Sequence, residues 1–443
     1  MRVLVVGGGG REHALCWGLA RSPLVEQLHA APGNAGIASV ATCHAAAADD
    51  VEAQLRLAEE LDADLVVIGP EAPLVAGLAD QLRARGRRAF GPGRDGARLE
   101  GSKAFAKELM VRHGIATARA ATFDRDDWER DRQKMLAFVD ELGGRAVVKA
   151  DGLAAGKGVT VASTGAQALA AIEECLVTGA FGAAGTRVIV EEVLEGAEVS
   201  AFALVDASSI VPLALAQDFK RARDGDTGPN TGGMGAYSPL PWLDPSTEAR
   251  IWGVVSSTVR ALQDEGIAYS GLLYTGVMLT EEGPKVLEYN CRFGDPETQV
   301  VIPRLRGDLA EMLDACATDR LADLKVDLTE DAAVAVVLAS GGYPGTYETG
   351  WPIDGLDAAA ASRDAVVFHS GTAEREGRVV TEGGRVLAAT GWGPTVGDAR
   401  ERAYEASSHI SFDGMTRRND IAAGAAERDP RSDKERDRRM ENP

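Results

Sequence analysis

Residues Val286 to Gln299 read Val-Leu-Glu-Tyr-Asn-Cys-Arg-Phe-Gly-Asp-Pro-Glu-Thr-Gln, with a carboxylate, a side-chain amide and a guanidinium at alternate positions. Successive side chains of an extended strand point to opposite faces, so Glu288, Asn290 and Arg292 share one face. Leu287, Tyr289 and Cys291 then turn toward a core. Hard oxygen donors beside a fixed cation suit Mg²⁺ and nucleotide phosphates. A solvated edge strand would explain the alternation, but not the turn Phe293-Gly294-Asp295-Pro296-Glu297 that follows directly.

The net charge of −20 repels nucleic acid. An anionic substrate therefore needs a local cluster of positive charge. Lysine is scarce beside arginine, which makes Lys103, Lys107, Lys149, Lys157 and Lys220 informative. Lys149 ends a predicted strand over 146–151. The loop Gly152-Leu153-Ala154-Ala155-Gly156-Lys157-Gly158 follows, and its glycines let backbone N–H groups approach phosphate oxygens. It is not a P-loop, because no Gly-Lys-Ser/Thr enters a helix. The segment Glu191, Glu192, Val193, Leu194 can offer backbone polar groups to a base edge, and Glu198 can accept from ribose hydroxyls. Taken alone, Glu191 and Glu192 read equally as a solvated strand end. No nucleophile–base arrangement is apparent, and no histidine spacing makes a ligand set. Chemistry by positioning and electrostatics remains, as in phosphoryl transfer.

These residues need elements to hold them. Residues 1 to about 100 alternate strand and helix, the pattern of a parallel sheet covered on both faces. Predicted strands run over 2–6, 25–30 and 64–68, and predicted helices over 12–20 and 74–85. Gly8, Gly9 and Gly10 open the first helix and suit a phosphate. A dinucleotide site also wants an acid about 20 residues on, and Leu28 to Gly33 has none; an unliganded tight turn is the other reading. Ser102 caps a helix to about His113. Residues 125–135 read as a charged surface segment. Hairpins pair 199–205 with 210–219 and 275–279 with 285–290, flanking a helix over 246–265. From about 325 a smaller α+β unit follows, with strands 332–339 and 385–390 and a helix over 395–410. Residues 422–443 have little to bury and read as disordered.

With 443 residues the chain exceeds one core and implies about two to four domains. No apolar run is long enough to span a bilayer, and the first residues lack the apolar region of a signal peptide. The five cysteines form no CxxC pair and read as buried free thiols in a reducing cytosol.

Several motifs together resemble the phosphoribosylamine–glycine ligases (glycinamide ribonucleotide synthetases), ATP-grasp enzymes of purine biosynthesis. They are Val5-Val6-Gly7-Gly8-Gly9-Gly10-Arg11-Glu12-His13, Ile68-Gly69-Pro70-Glu71-Ala72-Pro73-Leu74, Gly101-Ser102-Lys103, Lys149 to Gly158, Asp226 to Gly235 and Arg292 to Gln299. They run in family order over about residues 1 to 420, and the last two are the specific ones. The resemblance implies a parallel α/β sheet domain over 1–101 and a two-lobed ATP-grasp unit over 102–324 with a mobile lobe at about 122–194. A small C-terminal α+β domain over 325–421 would follow. Lys103 and Lys149 would hold ATP phosphates under a flap at 152–158, with Glu191 to Leu194 on adenine and Glu198 on ribose. Glu288 and Asn290 would hold Mg²⁺ or Mn²⁺, and Arg292 would steady the transferring phosphate. Gly8 to Gly10, Glu71 and the 218–235 segment (Asp218, Lys220, Asn230, Thr231, Gly232, Gly233) would gather the other substrates, with Asp218 and Asn230 on glycine.

The implied reaction joins glycine to 5-phosphoribosylamine at the expense of ATP, in a cytoplasmic monomer with no nucleic-acid or membrane partner. Many ATP-grasp relatives carry a metal carboxylate on the preceding strand. Tyr274 to Leu279 has none, a lack that tells against other ATP-grasp ligases. The charged tail after Ile421 also departs from the pattern. Three alternatives stay open: an ATP-grasp ligase with another acceptor, an NAD-dependent oxidoreductase and a nucleotide-binding regulator.

Overall fold

The computed structural model describes residues 1–153 and 158–432. The N-terminal unit is a parallel sheet in the spatial order Thr42–Cys43, Gln27–Pro32, Arg2–Gly7, Leu65–Ile68, Arg88–Phe90. Val3 to Val6 are fully buried, with Leu4 and Val6 in one core and Val3 and Val5 in the other. A continuous apolar run covered on both faces is what a central parallel strand requires. The helix expected over 74–85 is broken into Glu71–Val75 and Leu78–Ala84, because Gly77 between them adopts a left-handed φ of +87°. The expectation of five buried thiols fails at Cys43, which is exposed on the short edge strand.

Eight antiparallel strands form the central sheet. Their order is Gly283–Asn290, Gly271–Thr280, Ala197–Val205, Ile210–Asp218, Gly235–Ser238, Ala332–Ala339, Arg385–Gly393, Ala365–His369. Both expected hairpins are present. The C-terminal strands expected at 332–339 and 385–390 continue this sheet, while Thr372–Arg375 and Arg378–Thr381 pair as a separate ribbon.

A separate four-stranded antiparallel lobe is ordered Ala120–Asp124, Arg187–Glu191, Ala146–Ala150, Val159–Ala162. It has its own core of Phe123, Trp128, Met135, Val148 and Ile172. The charged stretch expected as surface is helical there, as Arg125–Arg130 and Arg132–Glu141. Asp124 and Asp131 cap the two helices, and Trp128, Met135 and Val139 supply a buried stripe.

The disorder expected from residue 422 is corrected as far as 432. Ala423–Glu427 is a short helix, and Ile421, Ala422 and Ala425 join the main core. The Asp429 carboxylate accepts the Val396 N–H (2.9 Å) at the start of the helix Val396–Ser408. One carboxylate thus satisfies an orphan helix donor. Residues 433–443 lie outside the described residues.

Candidate active site

The strand Gly283–Asn290 does not alternate cleanly. Its register with Gly271–Thr280 shifts between Gly276 and Val277, so Glu288 faces Gly276 while Val286 faces Val277. Leu287 is the extra residue, half-buried instead of in the core as expected. Its carbonyl, turned out of the ladder, accepts the Lys149 ammonium at 3.1 Å. Tyr289 and Cys291 are buried on the far side as expected. The bulge thus brings the end of a small-lobe strand onto the large sheet.

Lys149 is held a second time, by Glu191 at 2.8 Å, and Lys107 grips the other oxygen of the same carboxylate at 3.1 Å. Burial works to raise the Glu191 pKa, but the two ammonium groups outweigh it and keep the carboxyl ionised. Glu191 therefore orders lysines with its side chain and leaves only backbone for a base. The Glu192 carboxylate likewise receives the Arg119 N–H (3.0 Å) and Lys285 (3.5 Å). Val193 and Leu194 follow in irregular backbone, half-buried. Lys103 opens the helix Lys103–Arg112 behind its Ser102 cap, and its ammonium reaches the Gly152 carbonyl at 3.0 Å. Burial lowers the Lys103 pKa, opposed by Glu288. Gly158 closes the glycine loop by accepting the Ala150 N–H at 2.8 Å; Gly156 and Lys157 lie outside the described residues.

Glu288 sits among cations. Burial works to raise its pKa, but Lys220, Lys149, Lys103 and Arg292 together hold it below the usual carboxylate range. Its nearest contact is Lys220 at 3.6 Å, and Asn290 Oδ1 receives Arg292 at 3.4 Å. Both oxygens are loosely engaged, which fits a pair of hard donors for a divalent ion. Among the described residues no three His, Cys, Asp or Glu side chains converge as a complete cage. Magnesium sites commonly take one or two carboxylates and leave the rest to phosphate and water.

Lys220 also pairs tightly with Glu198, so the residue expected on ribose is here ion-paired. Beside them, burial pushes Asp218 well above its usual range against the pull of Lys220, and raises Glu297 as well. Ser200 donates to Glu297 at 3.2 Å.

The turn after Arg292 is where the remaining expected residues meet. Arg292 pairs with Glu71 at 3.3 Å and with Glu100 at 2.8 Å. The Arg11 guanidinium donates to the Phe293 carbonyl at 3.2 Å. A Cβ on Gly10 would strike Ser370 Oγ at 2.4 Å and Gln299 Nε2 at 2.6 Å, and one on Gly8 would strike the Gly33 carbonyl at 2.4 Å. Gly8 is thus required by close chain approach, whereas the atoms facing Gly10 are side-chain ends that can shift. The Gly9 N–H is taken by the Glu12 carboxylate at 2.6 Å, and the Arg11 N–H faces Asp295 at 3.4 Å. Two carboxylates at this helix start argue against a dinucleotide pyrophosphate there. Gly232 and Gly233 lie across the turn, tied to it through Arg385, which donates to the Gly232 and Asp295 carbonyls (2.5 and 2.7 Å). Thr231 closes the loop onto the Lys220 carbonyl (2.9 Å), and Asn230 pairs with Arg221 on a small ribbon.

The sequence reading gave Glu100 and Arg385 no notice, and named Asp151 and Glu297 within motifs and Lys107 among the lysines without a role for any of them. Lys107 alone had a signal, standing four residues after Lys103 on one helix face. Asp151 lies in the quoted glycine motif, yet its work is structural. Its carboxylate accepts Ser102 Oγ (3.0 Å), the Ala104 N–H (2.7 Å) and Arg187 (2.5 Å), and its carbonyl accepts the Lys103 N–H (3.1 Å).

A parallel N-terminal sheet, a small lobe over a large antiparallel sheet and a lysine-lined cleft between them define an ATP-grasp protein. In the same fold is the biotin carboxylase domain of a Hydrogenobacter thermophilus 2-oxoglutarate carboxylase, solved with MgADP and bicarbonate (TM-score 0.70, 17% identity, 94% of this chain and 91% of that one). The chain belongs to the phosphoribosylglycinamide synthetase family, whose N domain matches residues 1–100, its ATP-grasp (A) domain 101–298 and its C domain 333–424. It is 48% identical over 430 residues to the phosphoribosylamine–glycine ligase of Agrobacterium fabrum, covering 97% of this chain and 100% of that protein. The Streptomyces coelicolor phosphoribosylamine–glycine ligase is 51% identical over 430 residues, 96% of this chain and 100% of that one. The solved phosphoribosylamine–glycine ligase of Thermotoga maritima superposes with a TM-score of 0.81 at 35% identity, covering 95% of this chain and 100% of that one.

Proposed function

We propose that the chain ligates glycine to 5-phosphoribosylamine, converting ATP to ADP and phosphate and yielding glycinamide ribonucleotide for purine biosynthesis. The observation that carries this reading is the convergence of Lys149, Lys103 and Lys220 with Arg292 around Glu288, in a chain that matches the phosphoribosylglycinamide synthetase family almost end to end. In the first step a glycine carboxylate oxygen attacks the γ-phosphorus, forming glycyl phosphate and releasing ADP. In the second the amine of phosphoribosylamine attacks the acyl carbon, phosphate leaves and the amine proton is lost.

Two anions meet in the first step, so charge screening is the main catalytic demand. Lys103 and Lys149 would hold ATP phosphates, with Lys149 fixed between Glu191 and the Leu287 carbonyl. Arg292 steadies the phosphoryl group in flight. Glu288 and Asn290 would hold a Mg²⁺ or Mn²⁺ ion, which supplies Lewis-acid neutralisation of the phosphates. Adenine would lie along the backbone of 191–194, with the ribose beside Glu198 once Lys220 yields. Asp218 and Glu297, held toward the neutral form by burial, would ionise against the ammonium of glycine, and Asn230 stands on the neighbouring ribbon. Gly8 to Gly10, Glu71 and 231–233 surround the turn where phosphoribosylamine would enter. The lobe at about 122–194 would close to keep water from glycyl phosphate; residues 154–157 of the expected flap lie outside the described residues. The five free thiols fit a reducing cytoplasm, and we take the working form as a monomer.

The test is ADP formation with each substrate omitted in turn. ADP should appear only with glycine and phosphoribosylamine both present, or as a slow glycine-dependent leak without the amine. Turnover supported by bicarbonate or another carboxylate in place of glycine would overturn the reading.

A further inference from the structure

The reaction as derived leaves Glu100 without a part. It stands near the end of the helix Arg94–Gly101, at the last residue matched by the family's N domain. It is 8% exposed, and both carboxylate oxygens are in use. Oε2 accepts the Cys291 N–H at 2.8 Å and the Cys291 thiol at 3.2 Å, while Oε1 receives the Arg292 guanidinium at 2.8 Å. One carboxylate thus pins a backbone amide and the very next side chain.

Arg292 also donates to the Phe293 carbonyl at 3.2 Å and to Asn290 Oδ1 at 3.4 Å, and its second carboxylate is held differently from Glu100. Glu71 makes a single contact at 3.3 Å, and its side chain is 28% exposed against 7% for Glu100. Of the two carboxylates, the one with the longer contact and more water yields more readily to an anion approaching Arg292. A long arginine side chain also has many rotamers, so a fixed hold behind it shortens the search for the reactive geometry.

We propose that Glu100 is a positioning residue. It locks Arg292 from behind through Cys291, and leaves Glu71 as the contact that the incoming phosphoryl oxygen displaces. This rests on the role given to Arg292 above. The N-terminal unit thereby contributes a side chain to the phosphoryl-transfer centre.

A double-mutant cycle reads this directly. Glu100→Gln should lower kcat at least about tenfold, with KM for ATP and glycine changed less than about threefold. In an Arg292→Ala background, assayed at high enzyme concentration, the same substitution should change turnover less than about threefold, since nothing is left to position. Glu100→Asp, which keeps the charge, should recover part of the lost kcat, and serves in place of Gln if that variant does not fold. An equal fold-loss in both backgrounds would overturn the proposal, as would full kcat in Glu100→Gln while Arg292→Ala is inactive. Loss of glycine-dependent ADP formation from the unmodified protein would instead undo the reading of the whole site.

Discussion

At the scale of single residues, Lys149, Lys220 and Arg292 are each held by at least two neighbours. Arg292 is the test of that idea. Removing it leaves Glu100 buried without its cation, a loss of about 3–5 kcal/mol where such pairs have been broken, so Arg292→Ala should weaken the fold as well as the chemistry. Arg292→Lys keeps a positive charge but loses the planar fork that grips phosphate. We expect its melting temperature to stay near that of the parent while glycine-dependent ADP release falls about 10²–10³-fold. Turnover close to the parent would remove Arg292 from the mechanism. A second prediction concerns pH. His13 is buried, with Nδ1 accepting the His369 N–H at 2.7 Å and its ring edge-on to Phe368. Burial, reinforced by His369, lowers its pKa from 6.5 to about 3. The unfolded chain takes up this proton near pH 6.5 and the native state only near pH 3. Its contribution is therefore intact above the upper value and is lost as pH falls toward the lower one, by about 1.4 kcal/mol per pH unit. His13→Gln should flatten the fall of melting temperature across that window; an unchanged slope would rule the histidine out.

At the scale of elements, the glycine turn offers the sharpest check. Gly8→Ala places a methyl 2.4 Å from the Gly33 carbonyl, a backbone atom that cannot swing away. We expect a loss of about 1–3 kcal/mol, seen as a lower denaturation midpoint, and a variant as stable as the parent would show the turn to be looser than described. The neighbouring strands were legible because their cues are local. Val3 to Val6 announces a doubly covered strand, and the alternation of Glu288, Asn290 and Arg292 puts three polar side chains near one another, with Arg292 donating to Asn290. Leu287 was not legible, since a bulge depends on the partner strand and not on the residue itself. Glu100 was invisible for the same kind of reason: no element was read over the helix Arg94–Gly101 that carries it, and its partner Cys291 lies 191 positions away. The charged run 125–135 hid two helices because exposed acids serve equally as loop residues and as caps.

At the scale of the whole molecule, the sheet refuses to follow the boundaries of sequence domains. Ala332–Ala339 pairs with Gly235–Ser238, so the C-terminal strands complete a sheet begun in the ATP-grasp unit. A chain ending at Glu330 should therefore fail to fold, leaving an open apolar edge, and should partition into aggregates; a soluble, cooperatively melting fragment would refute this. Asp151 spans the other seam. It belongs to the small lobe, is gripped there by Arg187, and caps the first turn of the helix that bears Lys103 on the opposite side of the cleft. Were the upper jaw to tilt away, that turn would lose its cap at the same moment. Unlatching the cleft and slackening the grip on a spent nucleotide would then be one event, and Asp151→Asn should be felt in the rate at which ADP departs.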